Sequence, residues 1–228
     1  MNGIVASRLI SEFLFGFGAL FAIINPYGLA FVFLDKTMGL SETERARVAL
    51  RVAVYAFGVL LVSLFMGSQI LNFFGISIPA LRIAGGLVVA VSGWSMLHHA
   101  PPLPHDTRAT STANLATIEK MAFFPLTIPL TTGPGTIATA IAIGADRPGD
   151  LDKLFASTVA WYVVALAVAA TIYHAYRRSS SMARLFGEEG TSVVTRLSAF
   201  LLLCIGVQII ITGAVEVARS ILAAQTGS

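Results

Sequence analysis

Six stretches of this chain stay apolar for more than the roughly 20 residues that a helix needs to cross a bilayer. They run from about Ser7 to Leu34, Ala46 to Phe73, Ile76 to Leu97, Glu119 to Gly144, Leu154 to Tyr176 and Ser192 to Val217. In hydrocarbon an unpaired backbone N–H or C=O costs several kcal/mol, so spans of this length must be helical. Composition points the same way. Of 228 residues, 56% are hydrophobic and 12% are charged, and the mean hydropathy is +0.80. A soluble domain carries about twice that charge, and a soluble fold of this length could not hide so much apolar surface. The net charge of +3 is too small to argue for nucleic acid as a partner. Cys204 stands alone in an apolar run, so there is no disulfide framework. The first run opens with an arginine, as a signal peptide would, but it stays apolar far past any such core and reads as a retained span.

Charge orients the spans. The loops after spans one, three and five share a side and hold Lys36, Arg45, Arg47, Arg51, Arg108, Lys120, Arg177, Arg178 and Arg184. The other side holds Arg8, Arg147, Lys153 and Arg219. Nine against four makes the first side cytoplasmic and puts both termini outside. Trp94, Trp161, Tyr173 and Tyr176 fall toward span ends, where an interfacial belt would place them.

Residues 98–118 divide the chain. The stretch is rich in Pro, Ser, Thr and Ala and reads as a cytoplasmic linker; His98, His99 and His105 read as linker histidines, not as a metal tract. On either side lie two three-span halves, 1–97 and 119–228, that resemble each other. Each opens with a broken span. Each third span begins with a glycine-containing turn and then an arginine: "GISIPALRIAGGL" (Gly75 to Leu87) sits opposite "GTSVVTRLSAFLL" (Gly190 to Leu203). Three spans per half force the second copy to enter the membrane upside down. The expected fold is therefore all-α, with six transmembrane helices forming two inverted repeats, as in many secondary transporters.

The breaks carry the functional reading. Asn25-Pro26-Tyr27-Gly28 interrupts span one, and Gly133-Pro134-Gly135 interrupts span four. Proline removes a backbone donor and clashes one turn back, and glycine relaxes the neighbouring dihedrals. Unwound backbone survives at membrane depth only inside protein or against a wet cavity. Half-helices starting at Pro26 and Pro134 would aim free N–H groups and a positive dipole end at such a cavity, which suits an anionic group such as a carboxylate. Asn25, Thr131, Thr132 and Thr136 add neutral hydrogen-bonding groups. The expected substrate site is Asn25, Pro26, Tyr27, Gly28, Thr131, Thr132, Gly133, Pro134, Gly135 and Thr136. Arg82 and Arg196 are candidates for gating or helix positioning, with helix-end carbonyls, Asn72 or Glu12 as partners, and Gln208 for an interhelical bond or a cavity contact. Glu12 and Glu216 lie nearer the outer surface and read as solvated. Gly85, Gly86 and Gly93 allow close helix approach.

These same residues resemble the MarC family of integral membrane proteins over nearly the whole chain. "INPYG" resembles its first-half Asn-Pro-x-Gly motif, and "IPLTTGPGTIAT" its second-half Pro-Leu-x-x-Gly-Pro-Gly-Thr motif. "FFGISIPALRIAGGL" and "TRLSAFLLLCIGVQIIITG" resemble its two arginine-bearing third spans. Ala30 and Phe31 stand where the family usually has a further proline, and Ser198-Ala199 where it tends to have Met-Gly. The resemblance implies six spans, external termini and movement of small neutral amino acids such as glycine and alanine.

No enzyme motif stands out: Ser92 in "VSGWS" has no histidine at comparable depth, and there is no His-Glu-x-x-His pattern. The expectation is a secondary transporter of small neutral amino acids in the inner (plasma) membrane. The alternatives are a channel-like pore for small solutes and a structural or regulatory membrane protein. No cofactor or metal is expected. The coupling ion (H+ or Na+) and homo-oligomerisation are left open.

Overall fold

The computed structural model describes residues 2–98, 121–145 and 151–226, and among them every regular element is helical. They are α1 (Asn2–Ile24), α2 (Pro26–Lys36), α3 (Glu42–Phe73), α4 (Ile78–His98), a π-wound segment α5 (Ala122–Thr131), α6 (Pro134–Ala145), α7 (Leu151–Arg177) and α8 (Ser179–Thr226). Five stretches are long and apolar enough to span a membrane: Leu9–Lys36, Glu42–Phe73, Ile78–Ser95, Ser157–Arg177 and Ala199–Leu222. α5 and α6, bent by 68° at the break between them, pass the same test together, which gives six spans if the bent pair is counted as one.

Local chemistry sets several boundaries that apolar runs alone misplace. α3 starts ahead of its apolar run because Ser41 caps it: Glu44 N–H donates to Ser41 Oγ (3.3 Å), and Ser41 N–H donates to Glu44 Oε2 (2.9 Å). Before α4 the chain turns at Gly75, whose φ of 66° only glycine takes readily. The corresponding turn before the last span lies at Gly187 (φ 67°) and not at Gly190, and the helix is wound on both sides of it. That span runs past Val217, to Leu222, and Glu216 within it forms an ion pair with Arg82.

Association of helices in lipid rests on close packing, because the surrounding tails are as apolar as the helices. The most extensive seam joins α4 to α8, antiparallel. A Cβ on Gly86 would lie 2.7 Å from Gly206 O, and one on Gly213 2.9 Å from Pro79 O, so only glycine allows this approach. α3 packs against α6 and α7, and α1 against α7. The core between them is filled by side chains such as Leu20, Phe33, Leu60, Val164 and Ile172. Two aromatics expected in the interfacial belt belong to this core: Trp161 is buried beside Phe65, and Tyr176 is buried against Phe33. Trp94 is exposed.

One end of the bundle is tied by Arg45, which is buried. It donates to Thr37 Oγ1 (3.2 Å), Thr37 O (3.1 Å), Leu40 O (3.0 Å) and Ser180 Oγ. This joins the α2–α3 connection to the start of α8. A buried charge of this kind is tolerable only with its donors occupied.

Candidate functional site

The two breaks are built differently. At the first, α1 ends at Ile24 and α2 begins at Pro26. Asn25 alone makes the joint, in the left-handed region (φ 46°, ψ 59°), and its Oδ1 accepts from Gly28 N–H at 3.3 Å. Asparagine tolerates this conformation better than most residues because its short amide can bond locally. Pro26 at the first helical position forfeits a donor that would be unpaired anyway.

At the second, residues 124–133 are remodelled. Phe124 (φ −128°, ψ 123°) and Ile128 (φ −113°, ψ 124°) are extended, as expected of residues that precede proline. Pro125 and Pro129 deprive the segment of two N–H donors. Threonine hydroxyls take over the carbonyls: Thr127 Oγ1 donates to Ala122 O (2.6 Å), Thr131 Oγ1 to Leu126 O (2.6 Å) and Thr132 Oγ1 to Thr127 O (3.1 Å). α6 then starts at Pro134. Ile137 N–H is the first to reach back to a helix carbonyl, Gly133 O at 3.0 Å. Gly135 and Thr136 N–H therefore begin α6 without intrahelical acceptors.

A cavity of about 190 Å³ lies between these elements. α5 supplies Pro125, Leu126, Pro129, Leu130 and Thr131 to its wall, the joint after it Gly133, and α6 Pro134 and Thr136. α4 supplies Val88, Val89 and Ser92, and α8 supplies Leu202. The first span gives Ile23, Leu29 and, at the rim, Lys36. The wall is mainly apolar with a few polar groups, the usual make-up of a small-molecule site. Among those groups Ser92 Oγ donates to Val88 O at 2.8 Å and Thr131 is committed to Leu126. Thr136 differs: it is 3% exposed, lines the cavity and makes no hydrogen bond to any described residue.

Four of the ten residues expected at the site line this cavity: Thr131, Gly133, Pro134 and Thr136. Asn25, Pro26, Tyr27 and Gly28 do not; Asn25 spends its amide on its own helix. Thr132 is turned back to Thr127, and Gly135 packs on Val89 and Gly85. Gln208 is exposed on α8, away from the cavity. Arg82 is paired with Glu216, not with Asn72 or Glu12, and Arg196 is exposed. Glu12 Oε1 accepts from Ser157 Oγ at 2.9 Å, tying α1 to α7. His98 Nδ1 meets Trp94 O at 2.9 Å; His99 and His105 lie outside the described residues. Among the described residues no cluster of His, Cys, Asp or Glu could hold a metal. Sequence reading missed Ser92 as a wall residue, although Gly85, Val89 and Ser92 fall on one helical face.

The family model described as "MarC family integral membrane protein" matches residues 10–218, which take in both breaks and every wall residue of the cavity. The chain belongs to the MarC family of integral membrane proteins. The inner membrane protein MarC of Salmonella arizonae is 37% identical over 212 residues, covering 90% of this chain and 95% of that protein. Its counterpart in Citrobacter koseri is 36% identical over 217 residues with the same coverage. That of Escherichia coli O1:K1 is 35% identical over 209 residues, again with the same coverage. No solved structure matches the chain. In this member of the MarC family the cavity is walled by residues of the first span, of the α5–α6 segment, of α4 and of α8.

Proposed function

We propose that the chain is a secondary transporter of small neutral amino acids, of the glycine or alanine type, working by alternating access in the inner membrane. The observation that carries this reading is the conjunction at Thr136, near the start of α6: an N–H without an intrahelical acceptor, a hydroxyl that makes no hydrogen bond to any described residue, and a cavity that the residue lines. A helix N-terminus favours an anion, here the substrate carboxylate. Size supports the same class: about 190 Å³ is room for about six waters at ~30 Å³ each, well below the ~300–1,000 Å³ of pockets for larger ligands.

In the proposed architecture, residues 1–97 and 119–228 are inverted repeats joined by a cytoplasmic linker, 98–118, with both termini outside. The helix neighbours support it. α4 pairs with α8, α3 with α7, the first span with α7 as α3 with α5 and α6, and α2 with α8 as α4 with α6. Exchanging the first three spans for the last three leaves that set of neighbours unchanged. An inverted repeat supplies two related conformations by exchanging the roles of its halves. Names of the MarC relatives place those proteins in the inner membrane. Impermeant labelling of cysteine at His105 and at Gln225 in intact cells tests the orientation: reaction at 225 and none at 105 is expected.

The decisive experiment measures binding of glycine, alanine and their amides to purified protein. The amino acids should bind and the carboxyl-blocked amides should bind much more weakly. Equal binding of amide and acid would remove the helix terminus from the mechanism. Saturating, exchange-capable flux in vesicles identifies a carrier, whereas flux that does not saturate identifies a pore.

A further inference from the structure

We infer that Tyr176 is a positioning residue for the cavity: it holds the α5 wall against α2 through Thr131 and does not itself reach the solute. The inference rests on the transport reading only for what the solute is.

Tyr176 is fully buried at the end of α7, and α7 contributes no described residue to the cavity wall. Its ring stacks on Phe33 of α2, with centroids 4.4 Å apart and planes 17° apart. Its hydroxyl lies 2.8 Å from Thr131 Oγ1 in α5. The direction of that bond follows from the partners. Thr131 has one hydroxyl hydrogen, and Leu126 O, at 2.6 Å, can only accept. Tyr176 therefore donates to Thr131, which donates to Leu126 O.

Both ends of this relay matter to the cavity. Thr131 and Leu126 line it, and so does Leu29, one turn before Phe33 on α2. Pro125 and Pro129 leave α5 without a full backbone ladder, so hydroxyl groups set its shape. Tyr176 adds an anchor from outside the segment. One side chain of α7 thus grips the two walls that come from the two broken spans. A pure packing role would need only the ring.

Tyr176→Phe separates the two roles, because it keeps the stack on Phe33 and removes the donor. Glycine or alanine affinity should fall about threefold to tenfold, the size of one net hydrogen bond. Thr131→Val should give the same loss, Thr131→Ser should restore affinity, and the double variant Tyr176→Phe/Thr131→Val should be no worse than the single ones. A second readout needs no solute: a Ser92→Cys probe in a Cys204→Ser background reports access to the cavity. Its reaction with a small membrane-permeant thiol reagent should speed up severalfold when Tyr176→Phe is added. A folded Tyr176→Phe protein with unchanged affinity and unchanged labelling overturns the inference. If the unaltered protein binds no amino acid but labelling still responds, the transport reading fails and the positioning role stands. If Tyr176→Phe does not fold, the Thr131 pair decides: Thr131→Ser behaving like Thr131→Val overturns the inference, and Thr131→Ser behaving like the unaltered protein supports it.

Discussion

The two broken spans share a proline at the first position of their second half-helix, yet one is a joint and the other a wall. In the first, Asn25 does everything: it adopts the left-handed conformation, caps α2 and lets Leu9–Lys36 continue as a single apolar span. In the second, Pro125 and Pro129 stand ahead of Pro134, and each forces the residue before it out of the helix. The result is an unwound stretch held by threonine hydroxyls and a 68° bend. The cavity follows that difference. Its wall takes eight residues from the α5–α6 segment and none from residues 25–28 of the first break. A proline therefore matters less for being present than for where it falls relative to the helix it begins. At the first helical position it is nearly free. A turn earlier it leaves backbone groups that side chains or a ligand must satisfy.

The contrast is most exposed to a change at Gly85. A Cβ there would lie 2.9 Å from Pro134 O and 3.0 Å from Pro134 C, both backbone atoms that cannot swing away. Gly85→Val should destabilise the protein by about 1–3 kcal/mol or more, as overpacking does, and should abolish solute binding by displacing the start of α6. Gly18 in the first span is the control: a Cβ there meets nothing within 4 Å. Gly18→Ala should be neutral or mildly stabilising, since alanine is the better helix former by about 1 kcal/mol. Thermal unfolding in detergent checks both. A Gly85→Val protein as stable as the parent would mean that α4 does not seat the second break.

The two arginines offer a smaller effect and test the likeness between the halves. Arg82 is paired with Glu216 across the α4–α8 seam, whereas Arg196 is exposed. Arg82→Gln should cost about 1–3 kcal/mol, below the ~3–5 kcal/mol of a fully buried pair because both groups keep some exposure. Exchanging the charges, Arg82→Glu with Glu216→Arg, should recover much of the loss. Arg196→Gln should stay within about 0.5 kcal/mol, as an exposed change does. Equal losses at Arg82 and Arg196 would mean that Arg196 has a partner in another conformation. Unfolding midpoints of the three variants settle the point.

What could be read from the sequence divides along physical lines. The spans were legible because lipid makes composition decide: an apolar run of sufficient length has one stable solution. That one helix ends at Ile24 and the next starts at Pro26, and that α6 starts at Pro134, follows from proline acting on its own turn. How far α5 departs from a regular helix was not legible, because it depends on whether Thr127, Thr131 and Thr132 can replace missing N–H donors. Pairings between distant residues were not legible at all. Arg82 with Glu216, Arg45 with Ser180, and Tyr176 with Thr131 each require knowing which helices face each other. The threonines show the same limit within one stretch: Thr131 and Thr132 hydroxyls are bonded to α5 carbonyls, whereas that of Thr136 makes no hydrogen bond to any described residue.

The smallest effect is at Asn25, where two substitutions separate conformation from chemistry. Asn25→Ala loses both the tolerance for φ 46° and the cap on Gly28 N–H. The left-handed conformation costs about 1–2 kcal/mol for a residue with an ordinary Cβ, and losing a cap about 1 kcal/mol. Asn25→Gly keeps the conformation at no steric cost and, as a cap, costs only a few tenths of a kcal/mol. If Asn25 is a joint and not a ligand, Asn25→Gly should bind glycine or alanine as the parent does, while Asn25→Ala should be less stable by about 1–2 kcal/mol. Affinity and unfolding midpoint, measured on the same preparations, distinguish the cases. A stable Asn25→Gly protein with lost affinity would return the Asn25 amide to the binding site and make the two breaks equal partners in it.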